Sequence, residues 1–262
     1  MAAVASPYDK MADGFERQRA LPGDVAQAVR AAVLAAVGQA ETPRLLDLGA
    51  GSGRIGLSFV AAGDDYIAID LSERMLRVFA DKDTAGHRAR LVQADGRALP
   101  FADASFDAVL LIAVFGDLPD WRPLVAEAQR VLRPGRVVAI GRTAAPDDGI
   151  DERLKQRLDL LLAQRMAAAP RKNGRKNAAQ YLAETATDVT SLVPASWPVR
   201  RSTRQFLERH AEGARFSRLS RSVREDALAE LSAWAKEQFG SLDAEFAETH
   251  RFELQFFRFG EE

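Results

Sequence analysis

Short apolar runs alternate with amphipathic stretches along residues 24–141. The apolar runs are rich in Leu, Ile and Val, as buried strands are, while the stretches between them repeat apolar residues at helical spacing. The pattern predicts strands at 44–48, 66–70, 90–94, 106–115 and 137–141. It predicts helices at 24–40, 55–62, 72–80 and 121–132, with Asp24 and Ser72 available as N-caps.

Strands that alternate with helices predict an α/β fold with a parallel sheet and helices on both faces. Right-handed crossovers make such a sheet doubly wound. Folds of this kind bind ligands at the carboxyl ends of their strands, near the point where strand order reverses. The residues that end the predicted strands are therefore the first candidates for chemistry.

The pattern changes after Thr143. Helices are predicted at 151–169, 177–187 and 223–239, and strands at 196–203 and 251–259. Residues 170–177 contain a proline, a glycine and four cations, which is typical of a break between helices.

Composition narrows the function classes. The 262 residues include 36 Lys plus Arg, 37 Asp plus Glu and no cysteine, for a formal net charge of -1. Without cysteine there is no disulfide, thiol nucleophile or Cys-ligated zinc, and we predict no metal site. The near-neutral charge argues against nucleic acid as a partner. No leader-like segment opens the chain, and no apolar run approaches the roughly 20 residues of a membrane helix, so we expect a cytoplasmic protein without membrane contact.

Acids and glycines follow the first predicted strands. The turn 49–53 reads Gly-Ala-Gly-Ser-Gly, which lets the backbone approach a ligand closely. Asp47, one residue before the end of its strand, is placed to meet a ligand's ammonium group and would repel a pyrophosphate. Asp70 ends the second strand about twenty residues later, where a carboxylate can accept from both ribose hydroxyls. The alternative is that Asp70 only caps the helix near Ser72.

The third strand ends in a further acid. Asp95 can meet an adenine amino group, with backbone contacts from Ala94 and Gly96. The alternative is an ordinary Asp-Gly turn.

These segments resemble the class I S-adenosylmethionine-dependent methyltransferases, specifically the small-molecule group that includes the ubiquinone-biosynthesis methyltransferases. The resemblance covers 44–142 and rests on LLDLGAGSG, IAIDLSERML, VQADGRALPF, FDAVLLIAVF and RVLRPGRVVAIGR. It implies a Rossmann-like, mostly parallel seven-stranded sheet with an antiparallel last strand and a helical lid insertion. We interpret 1–262 as one methyltransferase domain, in which the parts are N-terminal cap helices at 1–43, a cofactor-binding core at 44–144, the lid at 145–193 and a C-terminal part at 194–262.

The resemblance also implies a residue set for S-adenosylmethionine. Gly49, Ala50 and Gly51 would face its methionine part, and Asp47 would hold its amino end. Asp70 would bind the ribose. The remaining contacts would be Leu71 and Met75 bordering the adenine, Asp95 bonding it with Ala94 and Gly96 alongside, and Ile112 beside the donor methyl. Tyr8 would cover the donor and Arg19 would pair its carboxylate, unless the two are simply amphipathic helix residues.

We predict methyl transfer to a small-molecule acceptor, at oxygen or nitrogen, by in-line displacement. The fourth strand is not followed by the Asn/Asp-Pro-Pro-aromatic motif of enzymes that methylate planar amines, and a cysteine adduct is excluded. No His stands near Phe115, and aligning the reactants supplies much of the acceleration without one. We therefore predict no particular catalytic residue. An RNA-modifying methyltransferase and a non-catalytic S-adenosylmethionine-binding protein are the alternatives.

Basic residues concentrate in one stretch. Residues 151–225 hold 16 basic and 8 acidic side chains, most densely at 171–176. This stretch is either a solvated surface loop or a lid that attracts an anionic acceptor.

Overall fold

The computed structural model describes residues 21–38, 41–84, 86, 89–116, 118, 120–165, 174–211 and 219–260. The chain divides into two compact units. Unit 1 comprises Met1–Thr143, Lys172–Ala195 and Phe252–Glu262, and unit 2 comprises Ala144–Arg171 and Ser196–Arg251. The division into cap, core, lid and C-terminal part stays a prediction.

The described residues form one seven-stranded sheet in the order β3-β2-β1-β4-β5-β7-β6. Its strands are β1 Arg44–Leu48, β2 Asp65–Asp70, β3 Arg90–Gln93, β4 Phe106–Ile112, β5 Leu132–Ala144, β6 Asp188–Ser202 and β7 Glu245–Arg258. β1 pairs in parallel with β2 and β4, as do β2 with β3 and β4 with β5. The last strands, β7 and β6, are antiparallel. The predicted fold class is confirmed.

The helices of the described residues connect and follow these strands. They are α1 Gly23–Val37, α2 Gly56–Ala62, α3 Glu73–Lys82, α4 Arg122–Val131, α5 Ile150–Arg165, α6 Gly174–Thr185, α7 Thr203–Ala211 and α8 Arg221–Phe239. A 3₁₀ turn, Val114–Gly116, follows β4. Ser72 caps α3 as predicted, because its hydroxyl accepts from the backbone N–H of Met75.

Burial explains the arrangement of unit 1. β4 is buried along its first six residues, as a central strand covered on both faces should be. α1 presents four valines at four-residue spacing, and all are buried: Val25, Val29, Val33 and Val37. α6 joins the same core through Ala178 and Leu182.

Unit 2 has a core of its own. Leu154, Leu158 and Leu162 of α5 cluster with Phe206 of α7 and Leu231 of α8. None of the described helices of the chain is long and apolar enough to cross a membrane.

Three local predictions were wrong. Asp24 does not cap α1, which begins at Gly23 after Pro22 and has no side-chain cap. The strand predicted at 137–141 begins earlier, because β5 starts at Leu132 and runs through Pro134 and Gly135, with a register shift against β4 and Gly135 at φ +73°. The strand predicted at 196–203 is the end of β6, which begins at Asp188.

Candidate cofactor and acceptor site

The glycine turn after β1 is tied to β2. The backbone N–H groups of Gly49 and Ala50 both donate to Ile69 O, at 2.8 and 2.9 Å. Gly51 has φ +57°, and a Cβ added there would meet nothing within 4 Å. At Gly53, with φ +79°, a Cβ would lie 2.5 Å from the ring of Phe79. The turn is therefore open at Gly51 and closely packed at Gly53.

Asp47 is almost fully buried at the base of this turn, with 2% of its surface exposed. The hydroxyl of Tyr66 in β2 donates to its Oδ2 at 2.5 Å, while its buried Oδ1 has no hydrogen-bond partner among the residues that the structure describes. Burial raises the pKa of Asp47 to about 7; the Tyr66 hydrogen bond opposes this rise and the charge of Asp70 adds to it. A buried carboxylate of this kind is stabilised by a neighbouring cation.

Asp70 holds the glycine turn from the end of β2. Its Oδ2 accepts from Gly51 N at 2.9 Å and its Oδ1 accepts from Ser72 N at 2.8 Å. The side chain that caps α3 is that of Ser72, whereas Asp70 also accepts from the glycine turn, so its role is not limited to capping a helix. A carboxylate offers about four lone-pair positions, which leaves Asp70 able to accept from further hydroxyl groups.

The predicted adenine side is divided between exposed and buried residues. Leu71 is 38% exposed, whereas Met75 is 2% exposed and packs in the core. Asp95 is bound by Arg97 through both oxygens, with its Oδ2 2.7 Å from Nη2, and this pairing lowers the pKa of Asp95. Ala94 N donates to Asp70 O at 3.2 Å. A Cβ at Gly96 would lie 2.6 Å from Leu124.

The carboxyl ends of β4 and β5 adjoin each other. Ala113 follows Ile112 with φ +55°, which is uncommon outside glycine, and its N–H donates to Gly141 O at 2.8 Å. A Cβ at Gly141 would lie 2.5 Å from Ile112 Cδ1, so the Ile112 side chain packs on that glycine. Backbone strain of this kind clusters at functional sites.

Some predicted residues lie outside the part of the chain that the structure describes. They are Tyr8 and Arg19 and, from the basic stretch 171–176, Arg171 and Lys172. Lys176 is exposed on α6, and Arg175 beside it is half-buried. The predicted break at 170–177 is wrong at its end, because α6 already begins at Gly174.

Histidine and carboxylates meet in unit 2. Asp151, Glu248 and His250 bring one ligand atom each within 4.8 Å of one another. Protein groups already engage them: Arg209 lies 2.9 Å from Asp151 Oδ2, and His250 Nε2 lies 3.1 Å from Glu248. His210 points Nδ1 at Phe206 O at 2.9 Å, within its own helix. The arginine charge beside Asp151 disfavours a cation there.

Comparison with known proteins agrees with this geometry. Residues 46–140 match the family model described as a methyltransferase domain. A demethylmenaquinone methyltransferase from Clavibacter sepedonicus is 33% identical over 144 residues, covering 55% of this chain and 59% of the relative. The chain thus resembles the class I methyltransferases. It spans less than two thirds of that relative's length.

Solved structures share the fold of this chain. The crystal structure of the YcgJ protein from Bacillus subtilis superposes with a TM-score of 0.58 at 20% identity, covering 90% of this chain and 99% of that one. The [4+2]-cyclase SpnF superposes with a TM-score of 0.56 at 17% identity, covering 97% and 94%. A cyclase thus has the same fold, so the fold alone does not specify the reaction.

Three residues of this site were missed from the sequence. They are Tyr66, which contacts Asp47, Arg97, which contacts Asp95, and Arg142, which contacts Glu253 of β7. Pairing of β1 with β2 brings Tyr66 to Asp47, whereas Arg97 pairs with an acid only two residues before it in the chain. Arg142 carried a usable signal, because it follows the last apolar residues of β5 at the ligand edge.

Proposed function

We propose that the protein transfers a methyl group from S-adenosylmethionine to a small-molecule acceptor, at an oxygen or nitrogen atom. The observation that carries the proposal is the pairing of an open glycine turn with two differently placed acids. Asp47 is buried with one oxygen that has no hydrogen-bond partner among the described residues, and Asp70 bonds the turn through Oδ2 and the start of α3 through Oδ1. The matched methyltransferase domain model and the demethylmenaquinone methyltransferase relative support it.

The residues present fit that cofactor. The open space at Gly51 would receive the methionine part, where a Cβ would stand in the way. Asp47 would attract its ammonium group, and Asp70 its ribose hydroxyls. Leu71 is an exposed apolar side chain that suits an adenine face. The adenine amino group would donate to Asp95, at carboxylate lone pairs that Arg97 does not use.

The cofactor supplies an electrophilic methyl group on a sulfonium. The protein's part is alignment: Ile112 and Ala113 end β4 at the edge where the acceptor would approach. Alignment of reacting atoms contributes a large share of the acceleration in such transfers. No described residue is assigned as a general base.

The acceptor is to be sought first among demethylated quinones, because the first relative is named for one. Purified protein would be incubated with radiolabelled cofactor and a reduced demethylmenaquinone, a metabolite extract or total RNA. We expect label in the quinone or the extract and none in RNA. The labelled position would distinguish oxygen and nitrogen from carbon.

Calorimetry with S-adenosylhomocysteine and NAD tests the cofactor separately. We expect micromolar-scale binding of the first and none of the second, because Asp47 repels a pyrophosphate. The reverse preference would end the methyltransferase proposal. Tight S-adenosylhomocysteine binding with no label in any acceptor would favour a binding protein without transfer.

A further inference from the structure

Arg175 occupies a position on α6 where an apolar residue is expected. Residues three and seven positions later, Ala178 and Leu182, are fully buried in the core of unit 1. Side chains at this spacing lie on one face of a helix. Arg175 therefore belongs to the inward-facing stripe, and it is half-buried. Arginine is seldom buried unless it is paired.

The charges around Arg175 do not provide that pairing. Arg142, two residues after the buried Ile140 on β5, directs Nε to Glu253 Oε2 at 2.9 Å. Burial and the charge of Arg142 lower the pKa of Arg175, and Glu253 only partly opposes them. Among the described residues, Arg175 has no hydrogen bond or ion pair. The carboxylate of Glu253 is thus already engaged by Arg142.

This cationic pair lies on the acceptor side of the sheet edge. A Cβ at Gly174, next to Arg175, would lie 3.4 Å from the carbonyl oxygen of Phe115, in the turn after β4. Arg142 follows Gly141, which accepts the N–H of Ala113. The glycine turn and Asp70 occupy the β1 and β2 side of the same edge. The space on the β5 side is therefore the one left for the acceptor.

We propose that Arg175, supported by Arg142, binds an anionic oxygen of the methyl acceptor, either a carboxylate or a phenolate. The inference rests on the proposed function. An arginine fork binds carboxylates bidentately and retains its charge in a desolvated place. A bound anion would give Arg175 the partner that it lacks and relieve its repulsion by Arg142.

The test uses protein saturated with S-adenosylhomocysteine and measures binding by calorimetry. The probes are 2-naphthoate, its neutral counterpart 2-naphthamide, and 4-nitrophenolate at pH 8.5. Wild-type protein should bind 2-naphthoate at least about tenfold more tightly than 2-naphthamide, since charge-assisted hydrogen bonds of this kind have that size. Binding of 4-nitrophenolate shows whether phenolates share the site or carboxylates alone do.

Arg175→Gln should remove the preference for 2-naphthoate, and Arg175→Lys should retain part of it. Lys176→Gln is the matched control, because it removes the same charge from the next, exposed position of α6. It should bind both naphthalene probes as wild type does. Without ligand, Arg175→Gln should unfold at the same temperature as wild type or higher, because a desolvated cation beside another cation has been removed.

Equal binding of 2-naphthoate and 2-naphthamide to wild-type protein would overturn the inference. So would a preference that survives in Arg175→Gln, or one that Lys176→Gln abolishes equally. The proposed function is tested separately, because S-adenosylhomocysteine is titrated into the protein before any probe is added. If S-adenosylhomocysteine does not bind in that titration, the proposed function fails.

Discussion

At the scale of single residues, the carboxylate of Asp47 makes this site sensitive to pH. Its pKa is about 7 in the folded protein against an ordinary value of 3.8. Between these values the folded state binds more protons than the unfolded state, so the free energy of unfolding falls as pH rises through this window. Above about pH 7 the contribution of Asp47 to the free energy of unfolding no longer changes with pH.

Asp47→Asn should remove that pH dependence. An amide does not titrate, and its oxygen can still accept from Tyr66. From pH 5 to pH 8, the free energy of unfolding of wild type should fall relative to the variant by roughly 2–3 kcal/mol. Urea unfolding at several pH values measures it. If the two proteins differed in free energy of unfolding by the same amount at every pH, Asp47 would titrate normally. A stability change caused by the buried amide itself is independent of pH, so it does not alter the slope.

Asp70→Ala should weaken binding of S-adenosylhomocysteine at least about tenfold and also destabilise the fold. Stability should fall because Asp70 accepts from the N–H groups of Gly51 and Ser72, and such bonds contribute about 1–3 kcal/mol. Asp65→Ala, at the other end of β2, is the control, because within the described part of the chain Asp65 forms one ion pair, with Arg90 in an exposed position. Calorimetry and thermal unfolding measure the two effects. Unchanged affinity in Asp70→Ala would remove Asp70 from the cofactor site.

At the scale of elements, the glycine turn is closely packed at Gly53 and open at Gly51, where the proposed ligand would lie. Gly53→Ala should cost about 2–4 kcal/mol, because φ +79° is unfavourable for alanine and the new Cβ would collide with Phe79. Gly51→Ala meets no atom, so its stability loss should be about 1–2 kcal/mol while its affinity for S-adenosylhomocysteine falls more. Urea unfolding and calorimetry on both variants would show the contrast. Equal losses of stability would refute it.

α7 carries one buried and one exposed ion pair. Arg209 binds Asp151, and both side chains are largely buried, whereas Arg204 binds the exposed Asp243. Arg209→Gln should cost about 2–4 kcal/mol, since it leaves Asp151 with only the more distant Arg201 at 3.7 Å. Arg204→Gln should change stability by less than about 1 kcal/mol. The free energies of unfolding of the two variants test this, and a similar loss in both would contradict it.

The parallel part of the sheet was predictable because its signals are local. β1 begins and ends where the apolar run does, and Ser72 caps α3 by a contact three residues away. β6 was mostly missed, since its exposed and proline-containing sequence reads as a loop and only pairing with β7 makes it a strand. The site divides similarly. Asp47 and Asp70 lie at the ends of predicted strands and could be identified from the sequence. Tyr66, which binds Asp47, and Arg142, the cation beside Arg175, come from other elements.

At the scale of the whole molecule, the described part of the basic stretch 151–225 is partly neutralised by neighbouring acids. Many of its described arginines contact acids within unit 2: Arg165 and Arg157 share Glu230, and Arg209 and Arg201 share Asp151. Polyanion binding depends on cations that are free to release counterions. This neutralisation agrees with a small-molecule acceptor and with the absence of label expected in RNA.

The edge strand β6 has a further consequence, for solubility. Val189 and Val193 are exposed on this last strand of the sheet, where an unpaired backbone could recruit another chain. Thr187 N donates to Arg258 O of β7, so by the alternation of a strand the positions of Pro194 and Pro198 face outward. Proline has no N–H to offer a new strand. Replacing both prolines with threonine should therefore produce concentration-dependent aggregation that light scattering detects, whereas a double variant that stays monodisperse would show that these prolines do not protect the edge.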